Sequence, residues 1–102
     1  MNADQRLGFN TQYETVAASQ TDQALGATGA KGDLIERLVV SVATAATSTV
    51  SIKDGAGSAI VITAANTPIG VYSVNVGAKS NDGAWQVTTG AGATVVAVGK
   101  FS

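Results

Sequence analysis

Seven carboxylates and six cations are the groups in this 102-residue chain that could move protons or hold charge, because it contains no His and no Cys. Triads that pair Ser or Cys with His are therefore excluded, as are zinc sites of the usual ligand type, disulfides and thiolate chemistry. Carboxylate pairs drawn from Asp22, Asp33, Glu36, Asp54 and Asp82 are the remaining catalytic candidates. A glycosidase needs two of them facing each other across a cleft, about 5–9.5 Å apart. Asp54 and Asp82 each precede a Gly, which is ordinary turn chemistry. Neither is followed by the spaced acids of an EF-hand loop. The sequence thus predicts no catalytic, metal or cofactor site, and a protein that is not an enzyme.

The glycine-rich stretches do not change that reading. "GATGAKGD" (26–33) spaces three glycines as collagen does, but two triplets without Pro cannot sustain a triple helix, so a flexible loop is expected. It is not a phosphate loop, since Lys31 is followed by Gly32 and no Ser or Thr opens a helix there. "GAGATVV" lacks the third Gly of a dinucleotide fingerprint and runs into a Val-rich segment. Trp85 and Tyr72 could form a sugar-binding platform, but each shares a period-2 apolar set (Trp85 with Val87, Tyr72 with Val74 and Val76), which points to core packing.

Composition says which elements must carry these residues. Eighteen Val and Ile stand against four Leu, and such stiff β-branched side chains suit a pleated sheet. Eighteen Ala and twelve Gly make the interior shallow, so contacts with neighbouring chains are expected to supply part of the stability. A net charge of −1 with scattered acids and bases builds no basic stripe, which argues against nucleic acid as a partner. The first twenty residues have no basic region followed by an apolar one, and no uncharged apolar run of about 18 residues exists. The expectation is a soluble protein made in a cytoplasm, with no membrane partner.

From residue 21 the pattern is all-β. "TDQALGATG" reads as a short strand entering a Gly-rich turn. "GDLIERLVVSVA" is the longest candidate, and strict alternation puts Leu34, Glu36, Leu38, Val40 and Val42 on the core face and Ile35, Arg37, Val39 and Ser41 on the other. "TSTVSIKD" puts Val50 and Ile52 on one face, the Asp-Gly at 54–55 marks a hairpin, and "AIVITA" returns from it. "GVYSVNVG", "AWQVTTG" and "ATVVAVGKF" complete the set, with Asn-Asp-Gly at 81–83 as a second turn signal. Six to seven short strands with turns every 8–12 residues or so predict a small antiparallel β-sandwich or barrel over residues 21–102. Residues 1–20 are polar and keep neither period, so they read as an extended N-terminal arm. In it Leu7, Phe9, Tyr13 and Val16 would seat one by one in pockets of a partner. Arg37 interrupts the longest strand and is a candidate subunit contact.

Across residues 21–102 the order "TDQALGATGAKGDLIERLVVSVATAATSTVSIKDGAGSAI", then "GVYSVNVGAKSNDGAWQVTTGAGATVVAVGKF", resembles small virion proteins of tailed bacteriophages, and among them the head decoration, or cementing, proteins. Strand and turn order carry the resemblance, and "GAWQVTTGAGATVVAVGKF" is its most specific part; the arm adds nothing to it. The resemblance implies a β-rich, non-enzymatic protein without cofactors, present in many copies on the outer capsid and often trimeric. Its partners would be the major capsid protein, whose neighbouring subunits it clamps, and further copies of itself. Its place would be the virion, assembled in the host cytoplasm. A tail, baseplate or head-fibre component is the alternative within the virion, and a carbohydrate-binding module using Trp85 and Tyr72 is the alternative outside it.

Overall fold

A computed structural model describes residues 12–45 and 47–102. The described chain forms eight strands: β1 (Gln12–Val16), β2 (Gln23–Ala24), β3 (Leu34–Val42), β4 (Val50–Asp54), β5 (Ile60–Thr63), β6 (Gly70–Lys79), β7 (Trp85–Thr88) and β8 (Ala93–Lys100). They build two four-stranded antiparallel sheets, ordered β1-β8-β3-β6 and β2-β7-β4-β5. The expected all-β sandwich is what the chain forms.

The strand order has a simple origin. β4 pairs with β5, β3 with β6, β2 with β7 and β1 with β8, so the chain is one long antiparallel ribbon folded about the 54–55 hairpin. Wrapping that ribbon brings β8 against β3 and β7 against β4, which completes the two sheets. Eight strands paired in this way are the jelly-roll arrangement of two Greek keys.

The sheets enclose one core. Val16, Ile35, Leu38, Val40, Val95 and Ala97 come from the first sheet; Val50, Ile52, Trp85 and Val87 come from the second, with Leu25 just past β2. Tyr72, Val76 and Ala78 of β6 and Ile62 of β5 pack half-buried against it. The period-2 assignments for β4, β6 and β7 therefore hold.

The assignment for β3 needs correction. Ile35, not Leu34 or Glu36, is fully buried beside Leu38 and Val40, while Glu36 and Arg37 are both exposed. The reason is a bulge. Ile35 pairs with Gly99 and Arg37 with Val98, so Glu36 is an extra residue against β8. Strict alternation would have forced one of two adjacent charged side chains into the core. A bulge lets both face water, and this outweighs the local loss of ladder bonding. Gly99 is needed at that point, since a Cβ there would lie 2.0 Å from the Leu34 carbonyl oxygen.

The boundary of the arm also moves. Gln12–Val16 is an edge strand of the sandwich, paired over its whole length with β8, and Val16 is fully buried. The eighth strand is the one that the sequence placed in the arm. Its inward set is Gln12, Glu14 and Val16, two of them polar, so no apolar alternation marks it. Leu7 and Phe9 lie outside the described residues.

Candidate functional site

The groups that could do chemistry are occupied by the fold. Asp54 and Asp82, the two Asp-Gly turn residues, interlock. The Asp54 carboxylate accepts backbone N–H bonds from Asn81 at 2.8 Å, Asp82 at 3.0 Å and Gly83 at 3.4 Å. Asp82 in return accepts the Ala56 N–H at 2.7 Å. The Asn81 N–H above all, helped by those of Asp82 and Gly83, holds the Asp54 carboxyl below its ordinary pKa against the opposing effect of desolvation. Asp22 accepts from Thr88 and pairs with Lys53 at 3.3 Å. Glu36 is exposed on the bulge and makes no ion pair among the described residues. Among the described residues no three acids gather as metal ligands.

Asp33 is the buried carboxylate, and it locks the chain's last residues. The "GATGAKGD" loop, expected to be flexible, closes over Phe101 and Ser102. Asp33 accepts the Ser102 backbone N–H at 3.0 Å, the Ser102 hydroxyl and the Ala30 N–H. The Ser102 backbone oxygen accepts N–H bonds from Thr28 and Gly29 at 3.0 and 2.9 Å. β1 completes the clasp: Gln12 Oε1 accepts the Phe101 N–H and Glu14 Oε1 accepts the Gly26 N–H. Burial alone would raise the Asp33 pKa; the two Ser102 bonds and the Ala30 bond outweigh it and bring the pKa below the ordinary value. Open clefts of about 450 and 300 Å³ flank the clasp, the larger edged by Lys79 and Lys100.

Trp85 is 3% exposed, and its indole N–H donates to the Asp33 carbonyl at 2.9 Å. It is a core residue and offers no face to a sugar. Tyr72 lies half-buried on the inner side of β6 and donates its hydroxyl to the Pro68 carbonyl at 2.6 Å. Arg37 is exposed on the outer face of β3, opposite Asn75 and Val98.

The sandwich also leaves apolar side chains in solvent. Among the described residues five large hydrophobic side chains are exposed, and all five sit on its open flanks. Tyr13, 73% exposed, is on β1, one edge of the first sheet. Ile60 and Val61 are on β5, the edge of the second sheet; Val71 is on β6, the other edge of the first; Ile69 is in the loop joining these two strands. Tyr13 and Val71 thus mark opposite edges of one sheet. Of the four expected arm contacts, Tyr13 is outward and accessible and Val16 is not. Ile60, Val61, Ile69 and Val71 were not singled out from the sequence. Their signal was present: no charged residue occurs from Gly55 to Ala78, whereas all thirteen charges lie outside that stretch. No family model matches the chain, and no curated protein or solved structure is similar to it.

Proposed function

We propose that this chain is a structural virion protein that binds the outside of a tailed-phage capsid and clamps neighbouring major capsid subunits. One observation carries the reading: the exposed large apolar side chains stand on open flanks of the sandwich, four around β5 and β6 and Tyr13 on the opposite edge of the first sheet. A cluster such as Ile60, Val61, Ile69 and Val71 on a small domain marks a contact with another protein, and Tyr13 is the anchor this reading gives to the opposite edge. Two such flanks on opposite sides suit a bridging element better than a module with one ligand cleft. The jelly roll recurs in viral capsid proteins and also in lectins and cupins, so the fold supports the reading without carrying it. In this reading the β1 edge, with Tyr13 exposed on it, meets the capsid.

Co-sedimentation with tailed-phage heads that lack the protein tests this. Saturable binding in a fixed ratio to capsid subunits is expected, weakened at least about tenfold by Tyr13→Glu, which sets a charge in an apolar contact. Failure of the wild-type protein to sediment with the heads would refute the proposal.

A further inference from the structure

The flank made of β5, the 64–69 loop and β6 has three properties that belong together. It carries four of the five exposed large hydrophobic side chains. It includes the longest strand of the described chain, ten residues with an unpaired edge. And, apart from Lys79 at the end of β6, it falls within the stretch from Gly55 to Ala78 that has no charge at all. Soluble proteins protect an open edge with Lys, with Pro inside the strand, or by keeping the strand short. β6 has none of these from Gly70 to Asn75; a bulge at Val76–Gly77 and Lys79 at the last position mark only its far end, and Pro68 is in the preceding loop. The other flank contrasts with it. β2 has two residues beside the Asp22–Lys53 ion pair, and β1 carries Glu14.

The absence of charge selects the occupant. A two-fold interface presents the same patch from both sides, so any charge near the axis approaches its own copy and is repelled. Among the described strand edges, the β5–β6 flank is the one free of that penalty. We propose that it is covered by a second copy of this chain, with β6 running antiparallel to β6 of the other copy about a two-fold axis. With the axis at Val71, the unpaired N–H and C=O groups at the Gly70–Tyr72 end of β6 find partners, and the first sheet continues across the pair as eight strands. Val71 packs across the axis, with Ile69, Ile60 and Val61 closing one side of the contact. This rests on reading the apolar flanks as interaction surfaces, and it leaves the β1 edges of the two copies free at the two ends.

The test uses the full chain without capsids. Sedimentation velocity from about 1 to 100 µM should give twice the chain mass, with dissociation on dilution. Val71→Lys and Val61→Lys should each weaken self-association at least about tenfold by placing like charges in the contact. Thr94→Lys, on the outer face of interior strand β8, should leave the mass unchanged. Trp85 fluorescence checks that each variant is folded. Because the chain has no Cys, Val71→Cys supplies a unique thiol, expected to cross-link two copies where Thr94→Cys does not. A wild-type monomer at 100 µM, or an unchanged mass in both Lys variants, overturns the proposal. So does a thiol at position 71 that forms no cross-linked pair in the free protein; if the same variant mixed with heads cross-links to capsid subunits, the capsid protein is the occupant. Co-sedimentation with heads is read separately, so a monomer that still decorates heads refutes the pairing alone, and a dimer that does not bind them refutes the proposed function alone.

Discussion

Trp85 shows how one residue can serve packing and geometry together. Its ring fills the core next to Val87, and its N–H reaches the Asp33 carbonyl, the same oxygen that accepts the Ser80 N–H. Trp85→Ala should cost about 3–5 kcal/mol in a denaturant titration, as for other buried aromatics. Trp85→Phe should cost less, because Ser80 still satisfies the Asp33 oxygen when the indole is gone. The carboxylate of Asp33 gives a pH prediction. Its pKa is lower folded than unfolded, so its stabilisation is complete above the ordinary value near 3.8 and is lost as pH falls through the lower folded value. The stability difference between wild type and Asp33→Asn should be constant at neutral pH and shrink below about pH 4. A difference that grew on acidification would contradict the clasp. The burial of Trp85 was legible from its alternation with Val87. The clasp was not: an Asp ending a Gly-rich loop carries no local sign that its partner lies 69 positions away.

At the scale of elements, period-2 alternation identified β4, β6 and β7 because each presents its larger apolar residues to the core, while β8 was placed by the turn before it and its Val-rich composition. It failed at β3 and β1 for different reasons. In β3 the pair Glu36-Arg37 was itself the signal, since two neighbouring charges inside an apolar strand call for a bulge. In β1 the inward positions include Gln12 and Glu14, whose side chains bond to the backbone of Phe101 and Gly26 and so read as surface polarity in the sequence. An arm that ends at residue 20 would be dispensable to the sandwich; one whose last part is β1 is not. Deleting residues 1–19 removes Val16 from the core and uncovers the β8 edge from Val95 to Gly99. That truncation should lower the melting temperature by several degrees or more and promote aggregation through the bared edge. A truncated protein that melts like the full chain would show that β1 contributes nothing to the fold.

Over the whole molecule, the jelly-roll order follows from a ribbon that closes its two ends on each other. β1 against β8 and Asp33 against Ser102 join the beginning and end of the described chain, while the 54–55 hairpin sits at the ribbon's middle. The fold class was visible in strand count and turn spacing. The strand order was not, because pairings as distant as Gln12 with Gly99 leave no local pattern. The same wrapping places β1 and β6, with Tyr13 and Val71 exposed on them, at opposite edges of one sheet. The most direct measurement of its proposed role is cryo-electron microscopy of tailed-phage heads incubated with the purified protein. The account predicts added density on the outer surface, bridging neighbouring major capsid subunits with the β1 edge toward the shell. Heads that stay bare, or density confined to the tail, would contradict it.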